Sequence, residues 1–356
     1  MTQPRYLILA DGEFGPMTSK TANSVIRYLG ERVVAVLDRD RAGSTAGEIL
    51  GFGGAVPVVG SIDEGLALGP DAVLIGIAPV GGRLPDEWLQ WLATALAAGC
   101  DIWSGLHTFL ADDPVLRAAA DQYGRTIHDV RRPPPGLEVA SGAARDIEPF
   151  VVQTVGTDCN VGKMTAQLQL SRALTDSGID TRFVPTGQTG IFIEGWGIAV
   201  DAVVSDFVAG AAERLTLEGA RRGGEILLVE GQGSINHPGY SAVTLGLLHG
   251  ACPDALILCH HATREFVGDY RPDAWLELPP LERYVEWYEA AAGMVKPAPV
   301  VGISLNTYDQ SDDEAREACR RAREATGLPA TDPVRFGVTP LVEAVVVARA
   351  RYRGGA

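Results

Sequence analysis

The 356-residue chain is notable first for what it does not contain. Its five cysteines are odd in number and include no CxxC pair. That excludes a disulfide framework and zinc sites of familiar spacing, so no metal is expected. No stretch approaches the ~18–20 consecutive apolar residues that a bilayer-spanning helix needs. The opening MTQPRYLILADGEFG has no basic segment ahead of a long apolar one, so the expected place is the cytoplasm, with no membrane partner. Basic residues number 30 against 45 acidic ones, a net charge of −15. That balance disfavours a nucleic-acid surface. No GxGxxG spacing and no internal repeat occur.

What is present is a globular α/β pattern. Hydrophobic residues make up 46% and charged residues 21%, enough apolar material for two cores in a chain this long. Short runs such as Tyr6–Ala10, Val33–Leu37, Val56–Val59 and Ala72–Ile77 have the length of buried strands. Helical spacing separates them, at Thr21–Leu29 and Glu87–Ala98. Strands alternating with helices predict a parallel sheet covered on both faces. The triple proline Pro133–Pro135 can continue neither a helix nor a central strand. The expected division is a Rossmann-like domain over 1–135, a linker over 136–146 and a second α/β domain over 147–356. In the latter, Val151–Val155, Thr181–Val184, Ile226–Val229, Ala255–Cys259 and Val300–Leu305 read as strands. Met164–Asp176 and Asp309–Thr326 read as helices.

The most informative segment follows the strand Val151–Val155. It runs Gly156, Thr157, Asp158, Cys159, Asn160, Val161, Gly162, Lys163, Met164, Thr165 and then opens a helix. Glycines permit a tight turn, successive N–H groups converge on an anion, and the helix N-terminus adds partial positive charge. Lys163 supplies a formal charge. Five residues separate Gly156 from Gly162, one more than in the common phosphate loop. This longer form resembles the GTDxxVGKT loop of dethiobiotin synthetase and its relatives. The position that would ligate magnesium, directly after the lysine, is Met164, and a thioether is a poor ligand for a hard cation. Phosphate binding is expected; a magnesium–ATP centre is less well supported.

Other polar clusters sit at strand ends, where open parallel sheets bind ligands. Gly187, Gln188, Thr189 and Gly190 follow one strand and invite close backbone approach to a substrate. Glu230 ends another and is a candidate base or metal ligand; Asp201 is a second candidate acid. Arg264 is a candidate carboxylate clamp. Asn306 ends a strand that resembles the adenine-recognition edge of the dethiobiotin synthetase class. In the first domain, Asp11-Gly12, Gly15, Gly76–Gly82 and Ser104–His107 would gather at one sheet edge, with Lys20, Arg27, Asp38 and His107 as its polar groups.

The blocks KTANSVIRY (20–28), IGIAPVGG (75–82), SGLHTFLADDP (104–114), GTDCNVGKMT (156–165), PTGQTG (185–190), VVSDFVAGAAE (203–213) and VEGQGSINHPGYS (229–241) together resemble one family. Its better-understood members are D-glutamate N-acetyltransferases, with a Rossmann-like first domain and a P-loop second domain. Met164 fits that family's loop. The resemblance implies an enzyme that moves an acetyl group from acetyl-CoA to the amine of an acidic amino acid, D-glutamate first among them. The loop would hold a CoA phosphate. Asp201 or Glu230 would take the ammonium proton, and N–H groups of Gly187–Gly190 would stabilise the oxyanion. No covalent intermediate is needed, although Cys159 is an alternative acyl carrier. Two other readings stand beside this one: an ATP-dependent ligase or kinase using magnesium, and a non-catalytic nucleotide sensor. A homo-oligomer is the ordinary expectation for such an enzyme.

Overall fold

Short β-branched runs become the strands of two separate parallel sheets. The computed structural model describes residues 4–77, 84–268 and 274–354, so Gly82 and most of the loop leading to it lie outside the described residues. Among the described residues no helix is long and apolar enough to cross a membrane.

The first sheet contains β1 (Tyr6–Leu9), β2 (Val33–Leu37), β3 (Val58–Val59), β4 (Ala72–Ile75), β5 (Asp101–Ser104) and β6 (Ile127–Asp129). Its order is β3-β2-β1-β4-β5-β6, with parallel pairing throughout. This is the Rossmann order, and its switch point lies beside β1. Helices α1 (Lys20–Leu29), α2 (Ala46–Leu50), α3 (Ile62–Ala67), α4 (Asp86–Ala97) and α5 (Pro114–Tyr123) connect the strands. β1 and β4 are buried along their whole length, which is why they read as unbroken apolar runs rather than as alternation.

The second sheet is built from β7 (Phe150–Gly156), β8 (Thr181–Val184), β9 (Ile226–Val229), β10 (Ala255–His261), β11 (Val300–Asn306) and β12 (Ala330–Thr331). The order is β12-β11-β10-β7-β9-β8, again parallel. β7 lies between β9 and β10, so the loop that leaves it emerges at the switch point. The helices are α6 (Lys163–Asp176), α7 (Gln188–Glu194), α8 (Val208–Arg221), α9 (Ser241–Ala251), α10 (Leu281–Gly293), α11 (Asp312–Thr326) and α12 (Thr339–Gly354). The acidic start and glycine stop of α11 are local: Ser311 and Glu314 form a capping box, and Gly327 closes the helix at φ 70°.

The chain divides into two compact units, Met1–Pro133 with Ile191–Ala202, and Pro134–Gly190 with Val203–Ala356. Sequence reading assigned 147–356 to one domain without interruption. The excursion Ile191–Ala202 instead goes with the first unit, where Phe192 is fully buried and meets Trp103 edge-on at 6.3 Å. The stretch read as a linker is fastened to α8. A Cβ on Gly210 would lie 1.7 Å from the Glu138 carbonyl oxygen. Glu213 accepts hydrogen bonds from Ser141 N–H (3.0 Å) and Ala143 N–H (2.7 Å). Burial pushes the Glu213 pKa up, but those bonds outweigh it and leave the carboxyl below its ordinary range.

Candidate functional site

The phosphate loop, residues 157–162, follows β7 and leads straight into α6. Two positions need left-handed backbone, Asn160 (φ 57°) and Gly162 (φ 97°). A short polar side chain tolerates that region and glycine enters it without strain. α6 has no side-chain cap, so its first-turn N–H groups face the loop and suit an anion. Gly156 leaves room for the lysine: a Cβ there would stand 2.8 Å from Lys163 Nζ. Lys163 is buried and donates to the Asp158 carbonyl oxygen (2.7 Å). Burial lowers its pKa, and the acidic groups Cys159, Cys259, Asp158 and Glu230 around it act in the opposite sense.

Asp158 does not face outward for a ligand. Its fully buried carboxylate accepts from Cys159 N–H (2.6 Å), Gly268 N–H (2.6 Å) and Arg264 Nη1 (2.9 Å). Arg264 also donates to the Cys159 carbonyl oxygen (2.6 Å). The expected role of Arg264 as a carboxylate clamp is therefore corrected: its guanidinium is a strut inside the loop. Thr157 is held in the same way. Its hydroxyl shares a hydrogen bond with His260 Nδ1 (2.9 Å), and its carbonyl accepts from Ser234 Oγ (3.0 Å) and Tyr284 OH (3.1 Å). Burial, with His261 and Arg264 nearby, pushes the His260 pKa down to about 4, so the ring is neutral at pH 7. One turn from Tyr284, Tyr288 donates to the Gly156 carbonyl oxygen (2.7 Å) and accepts from Ile235 N–H (3.0 Å). Burial raises both phenols' pKa values. Sequence reasoning missed this pair. The signal was there, two tyrosines four apart on one helix face.

Glu230 ends β9 and is buried. One of its oxygens accepts both Thr186 N–H (2.9 Å) and Gly187 N–H (3.0 Å). The Gly187 N–H is therefore committed to Glu230, which corrects its expected use as an open oxyanion donor. Gly190 packs on the same carboxylate, since a Cβ there would approach Glu230 Oε2 to 2.8 Å. Gln188 and Thr189, in the first turn of α7, are half-buried, as are Met164 and Thr165. Val161 is buried beneath the loop. Asn306 stands beside it, its Cβ 3.9 Å from where a Cβ of Gly162 would lie, and its Oδ1 accepts Tyr308 N–H (3.3 Å).

Asp158, Cys159 and His237 place one potential ligand atom each within 4.8 Å of the others. Their hydrogen bonding does not suit a cation. Gly239 N–H donates to His237 Nδ1 (3.0 Å), which keeps the ring proton on Nε2, the atom facing Asp158 Oδ1 at 3.9 Å. The Asp158 oxygens already serve a guanidinium and two N–H groups.

The remaining predicted residues belong to the first unit. Asp201 pairs with Arg131, and His107 is exposed. At the carboxyl edge of β1 and β2 a cavity of about 430 Å³ is lined by Gly12, Phe14, Gly15, Asp38 and Arg41 among others. Asp38 occupies the place where dinucleotide folds engage a ribose. Its carboxylate instead accepts Phe14 N–H (2.8 Å) and Asp40 N–H (2.9 Å). Arg27 stacks on Phe52 at 3.9 Å.

Residues 138–342 match a P-loop domain of unknown function, DUF1611_C, and residues 39–133 match its Rossmann-like partner, DUF1611_N. The chain belongs to the DUF1611 family. A crystal structure of a DUF1611 family protein from Anabaena variabilis superposes with a TM-score of 0.90 at 42% identity, covering 97% of this chain and 99% of that one. Two curated relatives carry the name D-glutamate N-acetyltransferase. The protein from Tritonibacter scottomollicae is 41% identical over 80% of this chain and 84% of its own length. The one from a Pseudoalteromonas species is 38% identical over 79% and 83%.

Proposed function

We propose that this chain is an N-acetyltransferase that carries an acetyl group from acetyl-CoA to the amine of D-glutamate. The observation that carries the reading is its likeness, at about 40% identity over about four-fifths of its length, to two relatives of that name. The loop geometry supports it: an uncapped helix N-terminus and a buried lysine at a sheet switch point are the elements that suit a phosphate, and Met164 occupies the position where a magnesium ligand would stand.

In this reading α6 and Lys163 hold a phosphate of CoA, and Lys163 exchanges its bond to the Asp158 carbonyl for the phosphate. Glu230 is the general base. It stands at the end of the strand beside β7 and is oriented by Thr186 and Gly187. It first takes a proton from the ammonium, because only the free amine is nucleophilic; the nitrogen then attacks the thioester carbonyl, the C–S bond breaks as the amide forms, and the departing CoA thiolate takes up the proton that the nitrogen sheds. Asp201 is the weaker candidate, since it is tied to Arg131. Gln188 and Thr189, in the first turn of the helix that Glu230 fastens, would contact the acceptor.

The test is release of free CoA from acetyl-CoA in magnesium-free buffer with a panel of D- and L-amino acids. Release with D-glutamate above all others is expected. No release with any acidic amino acid sinks the reading, and magnesium-dependent ADP formation from ATP would favour a ligase or kinase instead.

A further inference from the structure

The segment Glu230-Gly231-Gln232-Gly233 sets one polar side chain between two glycines, and neither glycine is free to vary. A Cβ on Gly231 would lie 1.7 Å from the Thr154 carbonyl oxygen. Gly233 has left-handed backbone (φ 66°), and a Cβ there would meet the Tyr240 carbonyl oxygen at 2.6 Å. Hydrogen bonds pin what lies between. Gly231 N–H donates to Thr154 Oγ1 (3.0 Å), and Thr244 Oγ1 donates to the Gln232 carbonyl oxygen (2.8 Å). Gln232 is therefore placed as firmly as the strand end before it.

Its side chain turns toward the loop that begins at Thr186. Nε2 donates to the Thr186 carbonyl oxygen (2.6 Å) and to Thr186 Oγ1 (3.2 Å). Thr186 is fully buried; its hydroxyl donates to the Glu230 carbonyl oxygen (2.9 Å) and its N–H to the Glu230 carboxylate (2.9 Å). Gln232 thus braces the residue that aims Glu230. Two acceptors on Thr186 fix which end of the amide faces them, so the NH2 is spent there. Gln232 is half-buried, and its Oε1 is an acceptor open to water. Gly187 lies between the two groups: a Cβ there would stand 3.3 Å from Gln232 Nε2 and 3.4 Å from Glu230 Oε1. The Lys163 stem comes within 3.3 Å of the Cβ position of Gly231, so the pair lies beside the cation of the phosphate loop.

We propose that Gln232 is the positioning residue for the acceptor amine: Nε2 holds Thr186 and through it Glu230, while Oε1 accepts an N–H of the amine. Once Glu230 has taken one proton from the ammonium, the nitrogen keeps two N–H groups and a lone pair. One N–H donates to Gln232 Oε1, which turns the lone pair toward the thioester carbon. A hydroxyl whose single proton faces Glu230 has no second donor for Gln232, so the pair selects primary amines over alcohols. This inference rests on the proposed reading of Glu230 as the base.

The experiment compares wild type, Q232M and Q232E as full-length proteins. It measures acetyl-CoA turnover with D-glutamate, the pH profile of kcat/KM, and D-glutamate binding by calorimetry; thermal unfolding separates loss of fold from loss of function. Q232M keeps the length of the side chain but neither donates nor accepts strongly. Its KM for D-glutamate should rise roughly 10-fold and its kcat should fall roughly 10-fold. Q232E keeps an acceptor, so its KM should stay within about 3-fold of wild type. Its second carboxylate beside Glu230 should move the acid limb of kcat/KM upward by about 1 pH unit, because the pair then shares a proton. A merely structural glutamine would leave that limb where it is. Wild type should bind D-glutamate better than D-2-hydroxyglutarate, its hydroxyl analogue, and Q232M should narrow that preference several-fold. Q232M with KM and kcat within about 2-fold of wild type overturns the proposal. A lowered kcat with unchanged KM and unchanged preference overturns the amine contact and leaves Gln232 acting through Thr186 alone. An unmoved acid limb in Q232E overturns its place beside the base. Wild type that binds D-glutamate but releases no CoA overturns the acetyltransferase reading, and the calorimetric loss in Q232M then decides the amine contact by itself. Wild type that binds no acidic amino acid overturns both.

Discussion

Both sheets have six parallel strands, and both send a loop and a helix from a central strand at the switch point, yet the two edges are chemically unlike. In the first unit residues 10–19 intervene between β1 and α1, and Lys20 at the helix start is exposed. In the second only residues 157–162 intervene, and Lys163 is buried against the loop it serves. The acids differ too. Asp38 spends its carboxylate on two N–H groups of its own edge. Glu230 receives the N–H groups of Thr186 and Gly187 on a single oxygen, Oε2. Strand order alone therefore does not set the chemistry of an edge; the second edge adds a short loop, a buried cation and open helix N–H groups, the elements that suit an anion.

Glycine replacement separates the two edges most sharply. A Cβ on Gly231 would lie 1.7 Å from the Thr154 carbonyl oxygen, so G231A should cost roughly 3 kcal/mol or more. Gly12 has φ 76° but open space around it, so G12A should cost only about 1 kcal/mol. Urea denaturation measures both, and similar losses would erase the contrast. Next, E230Q should lower kcat by roughly 100-fold or more with a smaller change in KM, and D201N should lower it less. The reverse order would move the base to the first unit.

Acidification tests the loop's neutral histidine. His260 has a folded-state pKa of about 4 against about 6.5 unfolded, so the unfolded chain takes up the proton first. Stability is full above pH 6.5 and falls as pH drops toward 4, by about 3 kcal/mol at most. His128 in the first unit is also lowered by burial, but it is partly exposed and should contribute less. H260N should flatten the dependence of Tm on pH more than H128N does. The smallest difference expected is none: Thr45 and Ser311 both form capping boxes, and T45A and S311A should each cost about 1 kcal/mol in thermal unfolding.

The parts legible in the sequence were those with local causes. The order strand, Gly156, Lys163, helix is written in consecutive residues, and so are the runs that became β1, β2, β4 and β9. Two-residue and three-residue strands such as β12 and β6 carry too little pattern to be read. The partners of Asp158 were not legible either, because Arg264 and Gly268 lie 106 and 110 positions away. Arg264 at a strand end looked like a ligand clamp for the same reason; nothing local tells that its carboxylate partner is already inside the chain. The helices α8, α9 and α10 passed unread: α9 is apolar on most sides, while α8 and α10 bury mainly alanine, glycine, polar residues or tyrosine in place of an aliphatic stripe, and Tyr284 and Tyr288 went unread with α10.

The excursion Ile191–Ala202 bears on how this chain is made. A ribosome delivers residues in order, and the first sheet is complete by Asp129. Phe192, however, which seals that unit's core against Trp103, arrives more than sixty residues later, after the phosphate loop has already been synthesised. The N-terminal unit must therefore wait, part-built, while the start of its neighbour emerges. A fragment ending at Pro133 should consequently be born with an aromatic-lined gap, and supplying residues 191–202 as a separate peptide is the natural way to fill it.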